Sequence, residues 1–267
     1  MHRLNIFARR VLTLTCVAVS VAGASATVFA QPANQLTPIQ QEIERQRQRL
    51  SSADIEERRD ALMRLGNLKR PDASQVAAAS LNDAAVQVRV AAAHAVVSLP
   101  PAEAAGLLLP LLQDRVEFIR REAAYALGET RSRSAVARLT EVLSGDKEAF
   151  VRGAAAVALG QIGDETAVNA LSQALSGTKK KKATDEFIMR AAARSLGQIR
   201  SRAGLPALMA ALDDQIASDV RREAATALGL IGDQSAAPAL RGLLDSSDPY
   251  LAAAAREALR RLATGGN

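Results

Sequence analysis

Apolar residues in this chain recur at three- and four-residue steps within short segments, and the segments themselves recur. The clearest segment is Val151-Arg152-Gly153-Ala154-Ala155-Ala156-Val157-Ala158-Leu159-Gly160-Gln161-Ile162-Gly163-Asp164. A close copy spans 220–233, and 119–128 follow the same template. Weaker versions end at Gly66, Val97, Gly197 and Arg260. The seven equivalent slots are therefore 66, 97, 128, 160, 197, 229 and 260, spaced by 31, 31, 32, 37, 32 and 31 residues. Counted back from the slot, Val at −9, Ala at −5 and −2 and Leu at −1 fall on one helical face. Each unit also holds a shorter apolar run, such as 167–175 or 237–244. A period in the low thirties with two helices predicts a stacked solenoid, because neither helix can bury its face alone.

The small residues at −5, −4 and −2 predict close approach of neighbouring helices. Enlarging one, as in Ala155→Leu, is expected to overpack the stack at a cost of roughly 1–3 kcal/mol. The slot glycine is expected to end or loosen the helix, with positive φ supplied by Gly and the next helix capped by Asp, as in Gly163-Asp164 and Gly232-Asp233. Pro110 falls inside an apolar run and is expected to kink its helix. Thr37-Pro38 reads as an N-cap with Pro at the first helical position. The polar helix that follows, with Ile39, Ile43 and Leu50 as its seam, suits a terminal cap.

The pattern V-R-x-x-A-A-x-A-L-G-x-I-G-D, followed by A-x-x-A-L and an Asp-containing turn, resembles the HEAT-like repeats named after phycobilisome bilin lyases. The resemblance covers roughly residues 38–263. It implies an all-α, right-handed α-solenoid (superhelix) of about seven two-helix repeats. The family it points to mixes scaffolds, lyases and a metal-dependent hydroxylase, so it implies a fold more sharply than an activity.

Composition fits that expectation: 48% of residues are hydrophobic, 3% are aromatic and tryptophan is absent. The net charge of +6 includes Arg3, Arg9 and Arg10, ahead of any acid. The remaining excess is mild, and with few aromatics it gives no reason to expect nucleic acid. Those three arginines, the apolar stretch from Val11 to Gly23 and the small-residue sites Ala24-Ser25-Ala26 and Val28-Phe29-Ala30 read as a secretory signal over 1–30. An uncleaved membrane anchor is the rival reading. Cleavage would leave a chain without cysteine, since Cys16 lies in the signal. The expected order is then a signal (1–30), a linker (31–37), the solenoid (38–263) and a disordered tail (264–267), in a periplasmic or extracellular protein.

Arg58, Arg89, Arg120, Arg152 and Arg221 recur at −8, with Asp54, Asp83, Asp114 and Asp146 at turns before them. An Asp–Arg ladder holding the repeats together is the resemblance's implication for these residues. The variable columns at −7, −3 and +1 face away from the buried stripe and are expected to line the concave side. Candidate binding residues there are Arg59, Met63, His94, Arg121, Tyr125, Arg190, Arg194 and Arg222, chosen because Met, His, Tyr and Arg make good interface anchors. The insertion carrying Lys179, Lys180, Lys181 and Lys182 is a candidate electrostatic hook for an acidic partner or an anionic envelope surface.

Catalytic constellations are mostly missing. His94 is the single histidine beyond the signal and lacks the Glu neighbour of the family's iron-binding His-Glu pairs. No nucleophile elbow, phosphate-binding loop or cysteine cluster accompanies it. No catalytic residue, metal or cofactor is assigned. The expected function is an exported, monomeric scaffold that binds one or more proteins through its groove. The alternative is an enzyme or accessory factor related to the bilin lyases or, behind that, to the hydroxylases.

Overall fold

The structure, a computed structural model, describes residues 36–177 and 183–264. The chain divides into two compact units, Met1–Thr37 and Pro38–Asn267. The expected signal, nearly all of the linker and the Lys179–Lys182 stretch lie outside the described residues.

The described part of the second unit contains helices and turns but no strand, and forms an all-α solenoid of seven helix pairs. The pairs are α1 (Pro38–Arg49) with α2 (Ile55–Asn67), α3 (Pro71–Ala77) with α4 (Val86–Ala95), and α5 (Pro101–Leu108) with α6 (Glu117–Thr130). Next come α7 (Val136–Gly145) with α8 (Ala149–Ile162), and α9 (Val168–Ser176) with α10 (Ala183–Ile199). The last are α11 (Leu205–Ala210) with α12 (Ser218–Ile231), and α13 (Ala237–Arg241) with α14 (Pro249–Ala263). Among the described residues no helix is long and apolar enough to cross a membrane.

The apolar stripe of the template becomes the core. Ala at −5 and Leu at −1 in the sharpest copies (Ala123, Leu127, Ala155, Leu159, Ala224 and Leu228) are fully buried. Second helices pack directly on one another, while first helices meet their neighbours sparsely. In a two-layered curved stack the more closely spaced layer lies inside, so the second helices form the concave layer.

The slot glycines, expected to end or loosen their helices, do not end them. Gly128, Gly160, Gly197 and Gly229 lie inside α6, α8, α10 and α12. Their role is close approach: a Cβ on Gly229 would stand 2.7 Å from Ala258 Cα, and one on Gly197 would stand 2.8 Å from Ala227 Cα. The left-handed stop comes three residues later, at Gly163 (φ 74°) and Gly232 (φ 78°). In other copies the same backbone is taken by Lys69, Arg131 and Arg200, at φ of 50°, 53° and 57°. Asp164 and Asp233 then accept hydrogen bonds from Thr166 N and Ser235 N, capping a 3-10 turn that leads into the next first helix.

Pro110 breaks its helix instead of kinking it. The α-helical pattern stops at Leu108 and a 3-10 turn runs Leu109–Gln113, since proline offers no N–H to continue the ladder. In α1 only Ile43 of the expected apolar seam is buried, joined by Gln46, whose amide donates to Glu42 and whose oxygen accepts from Arg49.

Three of the five arginines at −8 tie the repeats together, while Arg152 and Arg221 donate only to backbone carbonyls, Asp146 O and Lys147 O for the first and Leu212 O for the second. Arg58 reaches Asp83 of the next repeat at 2.9 and 3.0 Å and also donates to Ser52 O at 2.8 Å. Arg89 repeats the scheme with Asp114 at 3.3 Å and Asp83 O at 2.7 Å. Arg120 does so with Asp146 at 2.7 and 3.0 Å and Asp114 O at 3.0 Å. Arg58, Arg89 and Arg120 are structural: each closes a turn of its own repeat and clamps the next.

Candidate functional site

On each second helix the core takes −9, −5 and −1, so −10, −7 and −3 emerge together on the opposite, concave side. Between α2 and α4, bounded by α6, this side forms a groove of about 720 Å³. Its walls include Arg59, Met63, Val90, His94, Val97 and Phe118. Met63 is 54% exposed, so a flexible, polarisable side chain stands ready to adapt to an apolar group.

Of the sequence-derived candidates, Arg59, Met63 and His94 meet in this groove. Arg121 stands beside it on α6, its guanidinium 4.8 Å from the centre of the Phe118 ring. Tyr125 is half-buried against the core and does not line the groove. Arg190, Arg194 and Arg222 lie further along, on α10 and α12.

The cations of this face are matched by carboxylates in register. Arg59 pairs with Glu56 at 2.8 Å, Arg121 with Glu122 at 3.1 Å, and Arg190 with Asp219 at 3.5 Å. Arg194 grips Glu223 through two hydrogen bonds, at 2.8 and 3.0 Å. His94 Nε2, at −3, lies 3.1 Å from Glu122, at −6 of the next repeat, and Arg194 and Glu223 hold the same two positions, so His94–Glu122 and Arg194–Glu223 are the same rung in different repeats. Arg222 reaches Asp219 at 2.7 Å and Asp248 at 2.8 Å. The Arg222 hydrogen bond holds the Asp248 carboxyl below the usual carboxylate range. The row of charge visible in the sequence is thus largely cancelled, and the face presents apolar and π surface between neutralised pairs.

The feature missed at the sequence level is one helical turn further back. Phe118, Phe150, Phe187 and Tyr250 all occupy −10, and Tyr125 occupies −3. These five are all the aromatic residues beyond residue 30, and every one is on this face. Phe118, Phe150 and Tyr250 are 41%, 51% and 72% exposed. Phe150 and Phe187 stack with centroids 5.7 Å apart and planes tilted by 55°, and Arg222 sits 5.2 Å over Tyr250. Gly153 at −7 makes room for Phe187, for a Cβ there would stand 2.0 Å from Phe187 Cε1. The columns −7, −3 and +1 stop one turn short of this row; equal spacing of the aromatics from the slot was the signal.

The general model of HEAT repeats matches residues 43–126, 107–186 and 181–260. The chain belongs to the HEAT-repeat family. Among curated proteins the sequence has no significant match. Two of the solved structures compared share the fold at TM-scores above 0.5. One chain in the complex of CpcE and CpcF of phycocyanin lyase from Nostoc sp. PCC7120 is 23% identical at a TM-score of 0.52, over 88% of this chain and 97% of that one. An engineered protein is 22% identical at a TM-score of 0.52, over 84% and 69%. Human deoxyhypusine hydroxylase in complex with glycerol is 22% identical at a TM-score of 0.42, over 84% and 96%. Among the described residues of this HEAT-repeat chain, no three His, Cys, Asp or Glu side chains gather as a metal-ligand set.

Proposed function

We propose that this protein is a binding scaffold that holds a segment of another protein along its concave face. The observation that carries the reading is the placement of all aromatic residues beyond residue 30 on that face, most of them exposed. A chain that needed them for stability would bury them. Here alanine and leucine fill the core, leaving the rings as contact area of the kind that dominates interfaces. The groove beside Met63, His94 and Phe118 is large enough to enclose an apolar side chain of a partner. The same fold occurs in a complex of two proteins, CpcE and CpcF, which accords with a role in protein assembly.

Because the cations are paired, the partner segment is apolar and close to neutral, with no need of an acidic tract. The protein is read as exported, with 1–30 removed as a signal, 31–37 as a linker and 264–267 as a short tail.

Selection from a displayed random peptide library tests the reading. Peptides rich in large apolar residues should bind the native chain and be lost with a folded Met63→Glu/Phe118→Ser variant. Retention by that variant, or a purified protein that carries a chromophore or bound metal, would overturn it in favour of a lyase-like or hydroxylase-like role. Export is tested separately: the N-terminus recovered from an envelope fraction should begin near Gln31, and a retained Met1 would refute cleavage.

A further inference from the structure

The groove beside Met63 and Phe118 is bordered by four charged or titratable side chains, and they divide evenly. Arg59 is answered by Glu56 and His94 by Glu122. Lys69 and Glu129 are exposed, and among the described residues neither side chain has a hydrogen-bond or ion-pair partner. The two stand on opposite walls. Lys69 lies just past the end of α2, on the wall of repeat one, and Glu129 lies in the last turn of α6, on the wall of repeat three. Between them repeat two offers no charge: α4 gives way to a 3-10 turn, Val96–Ser98, and Pro100 holds the place that Lys69 takes one repeat earlier. The groove thus has an apolar floor of Met63, Val90 and Val97, with an unanswered cation on one side and an unanswered anion on the other.

We propose that this groove takes an extended protein segment patterned acid-x-apolar-x-base, its acid facing Lys69, its apolar residue on the floor and its base facing Glu129. The inference rests on the reading of the groove as a protein-docking site and adds the chemistry of the segment. Helices α2 and α6 flank α4. Packed helices lie about 8–10 Å apart, so the axes of α2 and α6 stand about 16–20 Å apart. Four steps of extended chain span about 13 Å, and side chains reaching inward from both walls cover the rest. In an extended segment residues i, i+2 and i+4 share one face, so the acid, the apolar residue and the base turn toward the groove together. A wall charge covered by a partner loses hydration and regains it only from an opposite charge. A segment with one sign of charge, or with none, is therefore penalised. The favoured segment is neutral by balance, in keeping with the paired cations elsewhere on this face.

Backbone-amide NMR titration of the full chain at low, fixed ionic strength tests this with three capped peptides: Gly-Gly-Asp-Ala-Phe-Ala-Lys-Gly-Gly and its counterparts with Asp, or with Lys, at both charged positions. The native chain should bind the Asp/Lys peptide at least about threefold more tightly than either counterpart. Lys69→Glu should transfer the preference to the Lys/Lys peptide, and Glu129→Lys should transfer it to the Asp/Asp peptide. The double exchange should restore it to Asp/Lys, bound the other way round. Both positions are exposed, and a change of preference cannot arise from loss of the fold. In about 1 M salt the preference should shrink toward equality while binding persists. Equal affinity for the three peptides, or a preference that neither substitution moves, would overturn the proposal and leave the apolar docking reading intact. Binding of none of the peptides would overturn both.

Discussion

Arg120 and Asp146 face each other across two neighbouring repeats through two hydrogen bonds, at 2.7 and 3.0 Å, with their side chains only 8% and 9% exposed. Arg138 and Glu141 also form an ion pair, but within one helix and in solvent. Burial decides which pair matters. Removing one partner of a buried pair strands the other, so Arg120→Ala should cost about 3–5 kcal/mol, whereas Arg138→Ala should cost about 0–1 kcal/mol. Urea unfolding of both variants checks the contrast.

The ladder also sets the response to acid. The Arg58 hydrogen bonds hold the Asp83 carboxyl below the usual range. Burial alone would raise Asp146, but donation from Arg120 and from Glu148 N–H outweighs it and the net shift is downward. At the C-terminal end Arg260 and Arg261 lower Glu257 to about 2. A carboxylate whose folded pKa is depressed adds stability above its unfolded pKa and loses it as pH falls through the folded one. The melting temperature should hold from neutrality to about pH 4.5 and then fall steadily toward about pH 2. Asp146→Asn should melt lower at neutral pH and show a shallower fall.

Glycines of the two kinds should respond oppositely to alanine. At Gly229 a Cβ would meet Ala258 Cα at 2.7 Å, a backbone atom that cannot swing aside. At Gly106, inside α5, nothing lies within 4 Å. Gly229→Ala should therefore destabilise by about 1–3 kcal/mol, while Gly106→Ala should stabilise by up to about 1 kcal/mol through helix propensity. Thermal melts of the two proteins give the signs.

Much of this architecture is legible in the amino-acid sequence because a solenoid writes its geometry at every turn. The Ala at −5 and Leu at −1 have one environment copied from repeat to repeat, so the stripe stands out as a period in the chain. The direction of the ladder is less visible. Arg58 could close on Asp54 of its own turn, and only the stacking distance shows that it crosses to Asp83. The slot glycines mislead, because a glycine near a helix end serves equally well as a stop or as a point of contact. Positive φ at Arg131 and Arg200 has no compositional mark at all. On the concave side, exposure of Met63 and Arg194 follows from the helical period. The pairing of Arg194 with Glu223 does not, since it depends on the register between repeats.

Gly153 offers a way to disturb the aromatic row from beneath. A Cβ there collides with the Phe187 ring, a side chain that can move. Gly153→Ala should leave the fold intact within about 1–2 kcal/mol, displace Phe187 from its 5.7 Å contact with Phe150, and weaken any ligand that spans these rings. Aromatic side-chain NMR shifts of Phe150 and Phe187 report the displacement directly.

Calorimetric titration of a library-selected peptide tests the central claim, that the second-helix face is a docking groove, most directly. Binding should show a negative heat-capacity change, as burial of apolar surface requires. It should weaken at least about tenfold with Met63→Glu or Phe118→Ser, as expected for loss of an anchor. It should be unchanged with Glu141→Arg on the first-helix side. Equal affinity for the native and Met63→Glu proteins, or a loss with Glu141→Arg, would contradict the account and move the binding surface to the other side of the stack.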